Sequence, residues 1–133
     1  MKPSGSQVVF AINAKVSSRQ LNWLFSESWP HHQERDFRAL LRRNLLAVCA
    51  YDGSQLIGFV NVAWDGGAHA FLLDTTIHPE WRRRGIGREL VERATAAVRE
   101  RGLQWLHVDY EPHLAPFYAR CGFRSTAAGL IRL

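Results

Sequence analysis

Residues 45–77 hold three apolar runs separated by Asp-Gly turns, and this pattern restricts the fold more than any other. "LLAVCAY" (45–51) leads into "DGSQ", "LIGFVNVAW" (56–64) into "DGG" (65–67), and "HAFLLDTTI" (69–77) ends before Pro79. Asp-Gly between two apolar runs favours a tight hairpin, because glycine adopts positive φ at no steric cost. The segment therefore predicts a three-stranded antiparallel meander. The period then changes. "GIGRELVERATAAVRERG" (85–102) puts Ile86, Leu90, Val91, Ala94, Ala97 and Val98 on one helical stripe. Glu89 precedes Arg93 by four residues, Arg99 and Arg101 sit near the C-terminal end, and Gly102 supplies a stop. "LQWLHVDY" (103–110) reads as a further strand.

The flanks are weaker but readable. "QVVFAIN" (7–13) reads as a first strand. "SSRQLNWLFSES" (17–28) starts on serine caps and aligns Leu21, Leu24 and Phe25. "WPHH" breaks that helix at Pro30, and "QERDFRALLRRN" (33–44) predicts a second one with Phe37, Leu40 and Leu41 inward. "HLAPFYARCG" (113–122) is a short helix starting near Ala115, since Pro116 fits only a first turn. The tail "FRSTAAGLIRL" is expected to give one or two short strands. The order β-α-α-β-β-β-α-β-α-β predicts an α/β fold with a mixed sheet and helices on its faces. At 133 residues and 47% hydrophobic content, 1–133 is read as a single domain.

Composition excludes some classes. No window approaches the roughly 20 apolar residues of a membrane span. The N-terminus lacks a signal-peptide core, so an unexported, cytoplasmic protein is expected. Cys49 and Cys121 fit two reduced thiols, and no Cys/His spacing suggests a metal. The formal charge is +5, and 15 of the 17 basic residues are arginine. That favours an anionic ligand without saying which.

The placement of the charge is more informative. "PEWRRRGIGREL" (79–90) sets Arg82, Arg83 and Arg84 against Gly85, Ile86 and Gly87 at a helix start, with Arg88 one residue on. The first amides of a helix have no internal partner and lie at the positive end of its dipole. Cations are unfavourable there unless an anion is held. Glycines let a phosphate approach the backbone, and arginines add charge-assisted bonds, so the stretch suits a pyrophosphate. It lacks the third glycine of a dinucleotide fingerprint and the Gly-Lys-Ser/Thr of a P-loop.

These residues resemble the GNAT superfamily of acetyl-CoA-dependent N-acetyltransferases. The carriers are Arg82-Arg83-Arg84-Gly85-Ile86-Gly87 after the strand "TTIHPEW", and a second element, "FYARCGF" (117–123), at matching spacing. The resemblance covers about 45–123 well and the N-terminal part more loosely. It implies a predominantly antiparallel meander joined to a β-α-β unit, with the sheet splayed between strands 69–77 and 104–110. Arg82 to Arg88 would hold the pyrophosphate of acetyl-CoA, and backbone around Thr76 and Ile77 the pantetheine arm. Tyr118 matches the tyrosine that often protonates the leaving thiolate. Asp74 is the first candidate base and Glu111 the second. Glu111 stands near the family's frequent Asn, a departure that leaves the usual Asn contact open; Asp109 and His113 flank it. The acceptor is expected near Trp29, Trp64 and His69, with His31 and His32 read as an exposed loop.

The expectation is a direct N-acetyl transfer to a primary amine of a small molecule or peptide, with no metal and no membrane partner. A CoA-binding regulator without catalysis is the alternative, and a basic nucleic-acid module is a further, less favoured one because the charge is dispersed. The short tail is compatible with completion by a partner subunit, a homodimer.

Overall fold

The computed structural model describes residues 7–133. Five strands form one sheet in the order β1 (Val8–Ile12), β2 (Leu46–Asp52), β3 (Gln55–Trp64), β4 (His69–Ile77) and β5 (Trp105–Val108). β1 to β4 pair antiparallel and β4 pairs β5 in parallel, which is the mixed sheet the sequence predicts. Both Asp-Gly turns are present. Gly53 takes φ +62°, and Asp65 Oδ1 accepts from the Gly67 and His69 amides.

Helices cover both faces. α3 (Ile86–Glu100) buries its predicted stripe on one face, against Val48, Val60, Val62 and Leu72. The fit is close: a Cβ added to Gly58 would lie 3.0 Å from Leu90 Cδ1. On the other face α1 (Ser18–Ser28) buries Leu21, Leu24 and Phe25 against Ala47, Cys49, Leu56 and Phe59. Ser17 caps α1 in a reciprocal pair with Gln20. α4 (Ala115–Arg120) starts where Pro116 requires, after a 3-10 turn at Pro112–Leu114.

Two sequence expectations are corrected. α2 spans only Arg38–Arg43, not 33–44. Residues 33–37 are held as a non-helical loop against α1: Asn22 bonds the Arg35 backbone at both ends, and Ser18 Oγ accepts from the Phe37 amide. The tail forms no strand. Residues 124–133 run unpaired, with Leu130 and Ile131 80% and 85% exposed. A strand needs a ladder partner, and these residues find none within the described chain.

β4 carries one irregularity that matters below. Phe59 pairs with Thr76 but Asn61 pairs with Leu73, so β4 has one residue more than the β3 stretch opposite. Asp74, at φ +58°, absorbs the extra residue as a bulge. The β4–β5 pairing ends at Leu72–Val108, and β4 continues to Ile77 without it.

Leu90, fully buried between α3 and the sheet, tests this packing. Leu90→Ala is expected to cost about 2–5 kcal/mol. Denaturant unfolding at an unchanged slope is the measurement.

Candidate active site

Where β4 leaves β5, a cavity of about 590 Å³ opens between the end of β4, the start of α3 and the face of α4. Thr75, Thr76 and Ile77 line it from β4, and Arg82, Arg83, Gly85, Ile86, Gly87 and Arg88 from the loop and the first turn of α3. Gly85 is the N-cap of α3 at φ +79°, a conformation that favours glycine. A Cβ there would meet no atom within 4 Å, so the space beside its backbone is open. Gly87 has a second role, since a Cβ on it would lie 3.4 Å from the Phe117 ring of α4.

The arginines are differently employed. Arg82 Nε donates to the Ile77 carbonyl at 3.2 Å, fixing the loop to the strand end. Arg88 Nε donates to Glu92 at 3.1 Å along the helix. Arg83 sits at φ +65°, an unusual position for a side-chain-bearing residue, and lines the cavity. Arg84 is exposed and is not among the lining residues.

The loop is anchored from below by residues that local sequence reasoning passed over. Trp81 is buried under it. His78, also buried, accepts from the Glu80 amide through Nδ1 and meets Glu27 Oε1 through Nε2 at 3.2 Å. With Nδ1 accepting, a neutral ring carries its proton on Nε2 and donates it to Glu27. Trp23 stacks on the same ring. The end of α1 is thereby tied to the start of the arginine loop. The only local signal was a histidine directly before Pro79.

Tyr118 lines the cavity from α4 and is almost wholly buried. Tyr110 stacks on it at 4.9 Å, and Phe117 and Phe123 meet it edge-on. Burial raises its pKa, against an opposing contact from the Thr75 side chain, so the phenol is protonated at neutral pH. Trp29, expected beside the acceptor, lines this same cavity while stacking on Phe25 at 4.6 Å. Leu114, Phe117 and Arg120 complete the wall; none was a sequence candidate.

Other candidates lie elsewhere. Asp74 is half-buried beside Thr75 but does not line the cavity. Burial raises its pKa, with the Arg35 charge pulling it down. Glu111 is exposed at the head of the turn before α4, and Asp109 and His113 are exposed too. Trp64 and His69 sit at the far ends of β3 and β4. His69 Nδ1 meets His107 Nε2 at 2.7 Å, away from the lining residues. His32 closes the α1–α2 loop by bonding Asn22 at 2.8 Å and stacking on Phe37, while His31 is exposed. A wider groove outside α1, along Arg19, Glu34 and Arg38, contains no sequence-predicted site residue.

Among the described residues no group of three or more His, Cys, Asp or Glu is placed to hold a metal. No helix among them is long and apolar enough to cross a membrane.

Known proteins share this architecture. A crystal structure of a candidate acetyltransferase from Deinococcus radiodurans R1 superposes with TM-score 0.83 at 27% identity, covering 99% of this chain and 93% of that one. The aminoglycoside N-acetyltransferase AAC(6')-Iy in complex with CoA superposes with TM-score 0.77 at 19% identity, over 100% and 98% of the two chains. That likeness is one of fold. Serotonin N-acetyltransferase 2, chloroplastic, of Oryza sativa subsp. japonica is 29% identical over 108 residues, 77% of this chain and 54% of that protein. The chain spans about half the length of the curated relatives it matches. Residues 17–123 match the sequence model of the acetyltransferase (GNAT) family, and the chain belongs to that family.

Proposed function

We propose that the protein transfers the acetyl group of acetyl-CoA directly to a primary amine of a small molecule or peptide. One observation carries this reading: a single cavity brings together the glycine-opened start of α3, Arg82, Arg83 and Arg88, and the buried phenol of Tyr118. The residues present fit acetyl-CoA. The open space beside Gly85 exposes unpaired helix amides to a pyrophosphate, and the β4 edge beyond β5 leaves Thr76 and Ile77, paired only with β3, beside the path of the pantetheine arm.

The chemistry assigns roles. The amine nitrogen attacks the thioester carbonyl, the C–S bond breaks, and the departing thiolate takes a proton from the Tyr118 hydroxyl. A phenol of ordinary pKa about 10, raised further by burial, is protonated and can donate at neutral pH. The nitrogen loses its proton to a base. Asp74 is our first choice, acting through water because it does not line the cavity, and Glu111 our second. A covalent acetyl-cysteine is disfavoured. Burial pushes the Cys49 thiol up to about 11 and raises Cys121 as well, so neither is a ready thiolate.

Two free thiols suit a cytoplasmic setting, and a homodimer would cover the exposed Leu130 and Ile131 of the tail. The serotonin N-acetyltransferase relative makes arylalkylamines the first acceptors to try, beside polyamines, aminoglycosides, amino acids and peptides.

Saturating acetyl-CoA is expected to raise the melting temperature by mass action on the folded state, and thiol release across that amine panel should identify an acceptor. With the acceptor in hand, Tyr118→Phe should lower kcat by about 100-fold with little change in acetyl-CoA affinity. Unchanged turnover would remove Tyr118 as the acid.

Asp74 predicts a separable effect. Its folded pKa is raised, so folding favours the protonated form; that contribution is present at low pH and lost as pH rises through the folded pKa. Asp74→Asn should therefore be more stable than the natural protein at pH 7. The difference should fade below the ordinary carboxyl pKa near 3.8. Melting curves across pH measure it.

A further inference from the structure

The cavity contains a fourth arginine, which the loop does not supply. Arg120 reaches it from the last turn of α4. Phe117 and Arg120 are three residues apart and so share one face of that helix. Phe117 packs on Gly87, and this contact sets α4 against the first turn of α3. Arg120 thereby lines the cavity from α4, beside that turn. Besides burial, the charges of Glu92, Arg88 and Arg120 each act on the Cys121 thiol, which follows Arg120 in the chain.

These groups are not equivalent. Arg82 is committed to the Ile77 carbonyl and Arg88 to Glu92. No hydrogen bond or ion pair among the described residues engages the exposed Arg120 guanidinium. The cavity therefore holds basic groups of two kinds. One combines backbone amides with Arg82 and Arg83. The other is a side-chain cluster, Arg120 with Arg88. A ligand that uses both carries two phosphate groups set apart on one molecule. A lone pyrophosphate satisfies only the first.

We propose that Arg120, supported by Arg88, binds the 3′-phosphate of the CoA ribose and makes the protein discriminate CoA from its 3′-dephospho form. This rests on the acetyl-CoA reading above. The chemistry matches: a phosphate monoester carries close to two negative charges at neutral pH, and an unengaged guanidinium offers it a paired set of donors.

The test is calorimetric titration of the natural protein, Arg120→Gln and Arg120→Lys with CoA and with 3′-dephospho-CoA. The natural protein should bind CoA at least about tenfold more tightly than dephospho-CoA. Arg120→Gln should lose that preference by weakening CoA alone, and Arg120→Lys should keep part of it. Equal affinity of the natural protein for both ligands overturns the inference and leaves the cofactor reading standing. So does an equal loss for both ligands in Arg120→Gln, which would place Arg120 on the pyrophosphate or in the seating of α4. Binding of neither ligand overturns the cofactor reading itself, and the inference with it. An unchanged melting temperature of the unliganded variant excludes misfolding.

Discussion

β4 carries one residue more than the β3 stretch it faces, and the left-handed backbone of Asp74 is where the chain absorbs it. The ladder with β5 ends at Leu72–Val108, just before the bulge, where β5 itself ends, and β4 runs on without it. The backbone beyond the bulge, at Thr75, Thr76 and Ile77, then borders a cavity rather than a neighbouring strand. The arginine loop and the N-terminus of α3 follow directly and are held over the same opening.

Electrostatics adds a second constraint. Four arginines between 82 and 88 crowd the positive end of α3, where cations are disfavoured. The fold offsets part of this internally, through the Ile77 carbonyl on Arg82 and Glu92 on Arg88. Arg83, in a strained left-handed conformation, has no such protein partner among the described residues. Strain and like charge at one loop are usually tolerated where function requires them. The contact of buried His78 with exposed Glu27, together with buried Trp81, anchors the loop from below.

What could be read from the sequence was what is local. The Asp-Gly turns, the stripe of α3 and the Gly102 stop each arise within a few residues, and they fixed the mixed sheet and its helical cover. The glycine–arginine loop was legible for the same reason. What escaped depends on partners far along the chain. α2 loses its first turns because Ser18 and Asn22, some 13 to 19 residues earlier, take the backbone of 35–37. The tail has apolar residues suited to a strand but no ladder to join. His78 matters through Glu27, 51 residues away, and Arg120 through the packing of Phe117 on Gly87. Trp29 reaches the cavity because α1 ends beside β4, which no local period announces.

We propose that the start of α3 presents its free amides to a phosphate group. Backbone amide NMR during titration with CoA reads this directly. Large, saturable shifts are expected at the Gly85, Ile86 and Gly87 amides, as new hydrogen bonds form to phosphate oxygens. Saturable binding that leaves those three amides unmoved, while shifting residues on the outer side of α1 or along the tail, would contradict it.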